Sequence, residues 1–301
     1  MHVFVTGASG FIGSAIVTDL QAAGHKVIGL ARSEASARTL LSRGVQVHRG
    51  DLEDLDSLRS GAAAAQAVIH TAFIHDFSRY KDVCEADRRA IAALGAVLAG
   101  TKHPLIVASG TGRNGTGQIR REDDTVSQPS SVMPRMATEE AVKTVADQGI
   151  TTMVIRLSPA VHDTRKQGLV TQLVARARQQ RQSVYIGEGS NRWAAVHRLD
   201  AARLFALALE KGEAGAVYHA VAEEGIPLRE IAAAIASRLS IPLAAQTQEE
   251  AATYFGPMAP FMSADLPASS SRTRERLGWQ PTHPGLLADL AQLDISPQPA
   301  T

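Results

Sequence analysis

Eight residues near the start of the chain, Thr6-Gly7-Ala8-Ser9-Gly10-Phe11-Ile12-Gly13, have the spacing of a loop that holds a pyrophosphate. An apolar run, His2 to Thr6, leads into them, and a helical pattern from Phe11 to Ala23 leads out. In that order each glycine has a mechanical task. Gly7 permits a tight turn, Gly10 lets the backbone approach the phosphates, and Gly13 lets the helix pack against the strand. Ser9, Phe11 and Ile12 complete the loop, and the phosphates meet the N–H groups and positive dipole end of the helix. The ligand expected is a dinucleotide.

The end of the second strand distinguishes one dinucleotide from another. The chain there reads Gly29-Leu30-Ala31-Arg32-Ser33. An acidic residue at this point accepts from a ribose 2′-hydroxyl, whereas an arginine accommodates a 2′-phosphate. Ala31 offers no carboxylate and Arg32 follows it, which favours NADP(H) over NAD(H). The plainer alternative is that Arg32 is a solvated surface charge. Asp51 lies just past the third strand with Leu52 beside it. There a carboxylate either accepts from an adenine amino group or caps the next helix.

Hydride chemistry also needs a proton donor. The segment from His70 to Tyr80 leaves the fourth strand with an imidazole at His75, a carboxylate at Asp76 and a phenol at Tyr80. It is equally readable as a surface loop. Ser109 and Thr111 end the fifth strand with two hydroxyls that orient a carbonyl but are too weakly acidic to be its proton source.

These groups must be positioned by a regular scaffold. Strands are expected at His2–Thr6, Lys26–Leu30, Val45–His48, Ala67–Thr71, Leu105–Ser109 and Thr151–Leu157, with helical patterns between them. That alternation predicts βαβ units and a parallel sheet. Between Gly110 and Ser131 runs a polar, glycine-rich stretch, long enough for a functional loop. Helices are expected at Thr138–Asp147, Gly168–Gln180, Leu199–Glu210 and Leu228–Leu239, a strand at Val217–Ala220, and an irregular tail rich in proline. The organisation expected is a dinucleotide-binding domain, 1–162 plus 191–224, and a smaller substrate-binding region, 163–190 plus 225–301.

Composition excludes several classes. With 31 basic and 30 acidic residues the net charge is +1, and no basic block marks a nucleic-acid or membrane surface. The single cysteine, Cys84, rules out an internal disulfide and suits a reducing compartment. No close His/Cys cluster offers a zinc site. The start lacks the features of a signal peptide and no apolar run is long enough to span a bilayer, so a cytoplasmic protein is expected.

Taken together, several motifs resemble the extended branch of the short-chain dehydrogenase/reductase superfamily, the group of nucleotide-sugar epimerases, dihydroflavonol-type reductases and three-beta-hydroxysteroid dehydrogenases. They are the glycine loop, Gly50-Asp51-Leu52, Val68-Ile69-His70-Thr71-Ala72, Val107-Ala108-Ser109, Arg156-Leu157-Ser158-Pro159-Ala160-Val161, Val196 to Ala202, and Arg276-Leu277-Gly278-Trp279-Gln280-Pro281. The resemblance implies a Rossmann-type α/β fold, with Thr71, Ala72, Ser158 and Pro159 at the cofactor and with His162, Trp193 and His197 as candidates for substrate contact, although a loop histidine and a core tryptophan are the plainer readings of the residues. It also implies a serine after the fifth strand and a Tyr-x-x-x-Lys pair on the next helix, the tyrosine as acid/base and the lysine on the nicotinamide ribose. Ser109 fits the first role. Pro134 and Thr138 stand at the other two. The tyrosines are Tyr80, Tyr185, Tyr218 and Tyr254, and none has a lysine four residues on.

The resulting expectation is an atypical NADP(H)-dependent oxidoreductase acting on a small carbonyl or alcohol, with a homodimer possible through helices 82–98 and 138–147. The other reading is an NADP-binding regulatory protein without turnover, and a sugar-nucleotide epimerase fits less well.

Overall fold

The computed structural model describes residues 1–112, 117–125, 128–165 and 168–294. Its strands are β1 (His2–Thr6), β2 (Lys26–Ala31), β3 (Gln46–Arg49), β4 (Ala67–His70), β5 (Leu105–Gly110), β6 (Thr152–Leu157), β7 (Ala160–His162), β8 (Ser183–Ile186), β9 (Arg192–His197), β10 (Val217–Ala220), β11 (Glu223–Pro227) and β12 (Leu243–Gln246). The helices are α1 (Gly13–Ala22), α2 (Glu34–Leu41), α3 (Leu55–Ala63), α4 (Tyr80–Leu98), α5 (Ala137–Asp147), α6 (Val170–Gln180), α7 (Arg198–Lys211), α8 (Leu228–Leu239), α9 (Gln248–Phe255), α10 (Ala259–Met262), α11 (Ser271–Leu277) and α12 (Leu286–Ala291).

Seven strands form one parallel sheet in the order β10-β6-β5-β4-β1-β2-β3. Apart from the edge strand β3, their residues are almost wholly buried because helices cover both faces, as a parallel sheet requires. Ile16, Leu40 and Phe205 bring α1, α2 and α7 onto one face. Leu58, Ile91 and Val142 bring α3, α4 and α5 onto the other. The strand order reverses between β1 and β4, and in open α/β sheets that crevice at the carboxyl ends is where ligands bind. A second apolar cluster, with Trp193, Leu173, Ile231 and Leu286, is assembled from α6, α8, α12 and β9.

Local sequence explains the boundaries. Ser33 caps α2 in a reciprocal capping box with Ser36. Asp54, not Asp51, caps α3, accepting from the Ser57 amide. The helix that follows the glycine loop begins at Gly13, two residues later than its apolar pattern suggests, because Phe11 and Ile12 still belong to the turn.

The second half is more ordered than its sequence implies. Five strands the pattern reading missed lie there, β7, β8, β9, β11 and β12, each of six residues or fewer. Runs this short give almost no alternation to detect. The tail likewise carries α9 to α12. The expected long loop is tied down where it is described: Arg120 is buried and pairs with the Ala268 segment, its amide donating to the Pro267 carbonyl at 3.0 Å. Positions 113–116 and 126–127 of that loop lie outside the described residues.

Gly13 is the tightest of the three loop glycines. A Cβ there would lie 2.0 Å from the Gly7 carbonyl oxygen, a backbone atom that cannot move away without opening the turn. Gly13→Ala is therefore expected to destabilise the fold by at least ~2 kcal/mol, as overpacking does, measured by urea unfolding. An unchanged midpoint would contradict this packing.

Candidate active site

At the carboxyl edge of the sheet, the ends of β1, β4 and β5 meet the starts of α1, α4 and α5. The glycine loop sits at the reversal point. Gly7 has φ +72°, and a Cβ on it would come within 2.9 Å of both the Ala72 amide and the Thr71 hydroxyl. A Cβ on Gly10 would meet only the Gly7 carbonyl, so the space in front of it is open. No side chain caps α1. The Ser14, Ala15 and Ile16 amides already sit on the Gly10 and Ile12 carbonyls, so the amides that the turn leaves for an anion are those of Ile12 and Gly13. This cradle fits a pyrophosphate. Arg32 stands at the end of β2 with its side chain 75% exposed, 3.8 Å from the Asp51 carboxylate. Ser158 is turned inward, donating to the Ala220 carbonyl at 2.7 Å. Pro159 and Leu52 are partly exposed.

Beneath the loop runs a buried polar ladder. Ala72 N–H donates to the Thr6 hydroxyl at 3.3 Å. The His70 ring lies between Thr6 and Asp87, with Nδ1 at 2.8 Å and Nε2 at 3.0 Å respectively. A carboxylate only accepts, so Nε2 carries the proton and Nδ1 accepts from Thr6. Asp87 Oδ2 takes two further bonds, from the Thr138 hydroxyl and from Arg135 Nη1 at 3.0 Å. Burial alone would push the Asp87 carboxyl up. Hydrogen bonds from His70 and Thr138 and the Arg135 charge outweigh it and hold the carboxyl below its ordinary value.

Thr138, at the position where the resemblance implies a lysine, is completely buried and turned onto this ladder. Pro134 opens a short 3₁₀ turn, Pro134–Met136, in front of α5. Neither position presents a phenol or an ammonium group. The cation at this edge is Arg135, 23% exposed, its guanidinium carbon 4.2 Å from the centre of the Phe73 ring.

Ser109 is buried and donates to Glu139 Oε1 at 3.0 Å. Arg156 grips the same carboxylate through Nε and Nη2, at 2.9 and 2.8 Å. Burial opposes ionisation of Glu139, but Arg156 and Ser109 prevail and its pKa falls. Thr111 is buried behind Ser109, its amide on the Leu157 carbonyl at 3.0 Å. Tyr80 begins α4 half-buried. Burial pushes its phenol up while the Arg135 charge opposes the rise. One turn on, burial pushes the Cys84 thiol up to about 11, so Cys84 is no nucleophile at neutral pH. His75 is exposed and meets Phe73 edge-on at 5.6 Å.

The three expected substrate residues lie on β7 and β9. Trp193 is fully buried and gives its one donor to the Ala264 carbonyl at 3.1 Å, which makes it a core residue. His162 is also fully buried, with Nδ1 2.6 Å from Asp289. His197 stacks on His283 with ring centres 4.7 Å apart. Among the described residues, His197, Asp200 and His283 form the one group close enough to suggest a metal. Several of its ligand atoms are already committed: Asp200 accepts from the Thr282 and His283 amides and faces His283 Nδ1, and His197 Nδ1 accepts from the Leu199 amide.

Asp87, Arg135 and Glu139 were not singled out from the sequence. Asp87 did leave a signal. It interrupts the apolar stripe of Val83, Ala90 and Leu94 on α4, and a carboxylate placed among buried helix positions requires partners.

A parallel sheet with this strand order and a glycine loop at its reversal defines a Rossmann-type dinucleotide-binding protein. More narrowly, the chain belongs to the NAD dependent epimerase/dehydratase family, whose model matches residues 3–222. It is 49% identical to an uncharacterized protein of Schizosaccharomyces pombe, across 97% of this chain and 98% of that one. An uncharacterized protein of Saccharomyces cerevisiae is 41% identical over 96% of this chain and 98% of its own length. At greater distance, a sterol-4-alpha-carboxylate 3-dehydrogenase (decarboxylating) of Dictyostelium discoideum is 28% identical over 76% of this chain and 73% of its own. The dTDP-glucose 4,6-dehydratase DesIV of Streptomyces venezuelae, solved with NAD bound, shares the fold with a TM-score of 0.77 at 18% identity, covering 97% of this chain and 96% of that one. Among the described residues no helix is long and apolar enough to cross a membrane.

Two outcomes follow from the buried charges. Asp87→Ala leaves Arg135 and His70 without their acceptor and is expected to lower stability by roughly 3–5 kcal/mol, the usual effect of breaking a buried pair. A loss under ~1 kcal/mol in denaturant unfolding would contradict the ladder. His219, buried beside Arg156, is pushed down to about 4 from 6.5, first by burial. The unfolded chain therefore takes up this proton at a higher pH than the folded one. Stability should be full above about pH 6.5 and decline as the pH falls towards 4, where the depressed Asp87 and Glu139 add their own acid-side loss. His219→Gln should flatten the upper part of that slope, read from thermal midpoints against pH.

Proposed function

We propose that this protein is an NADP(H)-dependent oxidoreductase that reduces a small carbonyl compound or oxidises the matching alcohol. The observation that carries the reading is the pairing of an uncapped α1 behind an open glycine loop with Arg32, rather than a carboxylate, at the end of β2. Ser9, Gly10, Phe11, Ile12 and Gly13 hold the pyrophosphate, Arg32 takes the 2′-phosphate, and Asp51 with Leu52 borders the adenine. Thr71, Ala72 and Pro159 border the nicotinamide side, with Ser158 positioning that turn from below.

When bound, NADPH supplies hydride to the carbonyl carbon. The chain's own part is to orient the carbonyl and to give its oxygen a proton. Ser109 gives its one O–H to Glu139 here, so it orients the substrate carbonyl by turning that O–H away from Glu139, which Arg156 continues to hold, and Thr111 supports the turn that carries it. Tyr80 is the proton donor. Its half-buried phenol is held protonated by desolvation yet lies within the field of Arg135, which stabilises the phenolate left after transfer. Exposed His75 is better placed to reload that proton from solvent than to give it directly. The Dictyostelium relative is named for a dehydrogenation, which supports hydride transfer as the chemistry.

Following NADPH absorbance over a panel of ketones, aldehydes and oxo acids tests the reading. Turnover is expected, with Tyr80→Phe lowering kcat/KM by roughly 10²–10⁴-fold and Ser109→Ala by about 10²-fold. Arg32→Ala should raise the KM for NADPH about tenfold and leave that for NADH unchanged, since only NADPH carries the extra charge. Saturable NADPH binding without turnover on any carbonyl would mark a binding protein instead. That alternative draws its support from Pro134 and the buried Thr138, which remove the expected pair.

A further inference from the structure

We infer that Arg135 binds a carboxylate of the substrate, so that the compound handled at this edge is a small oxo acid rather than a neutral ketone or aldehyde. The inference narrows the reaction proposed above. It rests on that reading for the reacting carbon but not for the binding itself.

Arg135 is built in as a fixed ligand. Its Nη1 is held by Asp87 at 3.0 Å and by the Thr138 hydroxyl. Its face lies on the Phe73 ring from the loop that follows β4. Nη2 reaches back to the carbonyl of Ala108, the residue before Ser109, at a long 3.5 Å. Contacts from α4, α5, β5 and the loop after β4 thus fix the group where β4 and β5 end, and 23% of its side chain stays exposed there.

The bonds it makes leave a particular edge over. A guanidinium has five N–H donors in a rigid plane. Asp87 and Thr138 take the Nη1 end. Among the described residues Nε has no hydrogen-bond acceptor, and the contact of Nη2 is weak. Nε–H and one Nη2–H point in parallel along the same side. That side-on pair matches the two oxygens of a carboxylate, whereas a lone ketone oxygen would satisfy one donor and strand the other. Asp87 does not compete for this edge. Its oxygens are already filled by His70, Thr138 and Arg135.

Calorimetric titration with acetoacetate and with its neutral methyl ester tests this, with and without NADP⁺. With oxidised cofactor no reduction occurs, so the signal is binding alone. The acid is expected to bind wild type at least tenfold more tightly than the ester. Arg135→Met should abolish the difference while leaving the NADP⁺ affinity within about threefold. Equal binding of acid and ester by wild type, or a preference that survives in Arg135→Met, would overturn the inference. If Arg135→Met does not fold, the Arg135 Nε–H resonance of wild type, assigned by its loss in Arg135→Lys, gives the answer. It should shift with the acid and not with the ester, and a resonance unmoved by acetoacetate overturns the inference. A carboxylate-dependent signal with no NADPH oxidation on any oxo acid would retain the Arg135 site and reject the proposed reaction.

Discussion

One buried carboxylate ties the working edge of this molecule together. Asp87 sits on α4 with its side chain 3% exposed and receives hydrogen bonds from β4, from α5 and from the turn before α5. Placing a charge there is expensive unless every oxygen is satisfied. The neighbouring sequence is arranged to satisfy it: an imidazole at the end of β4, a hydroxyl in the first turn of α5 and a guanidinium just before it. Through His70 and Thr6 the same network reaches the strand that feeds the glycine loop, so cofactor cradle and reaction edge share one rigid support. A fully satisfied buried network of this kind specifies a single arrangement of its elements.

The ladder also accounts for the departure at the expected catalytic pair. A lysine at position 138 would project from the same buried spot, next to Asp87. In this chain a threonine fills the space and the cation comes from the preceding turn, three residues earlier. The charge is retained but its geometry changes, from a flexible point charge to a planar fork pressed on an aromatic ring. The tyrosine whose phenol feels the Arg135 charge, Tyr80, lies at the start of α4 rather than on α5.

Much of this was legible in the sequence, for identifiable reasons. Long periodic segments such as those of α4, α5 and α7 declare themselves, and a glycine loop between strand and helix has few other uses. The six strands of the N-terminal half were placed within a residue or two because each is bounded by a turn signal. The short strands β7, β8, β9, β11 and β12 were not legible. Three to six residues carry little periodicity, and their pairing partners are distant in sequence, as with β9 against β11. For the same reason the sequence leaves Trp193, a centre of the second core, open between a pocket and a core position. Asp87 and Arg135 escaped because their meaning lies in a contact spanning 48 residues, visible only once α4 and α5 are packed side by side.

The proposed chemistry depends most on the nucleotide that the glycine loop accepts. Calorimetric titration of the wild-type protein with NADPH and NADH at one salt concentration measures this directly. NADPH should bind at least tenfold more tightly, a difference of about 1.4 kcal/mol. Equal affinities, a preference for NADH, or binding of neither would contradict it.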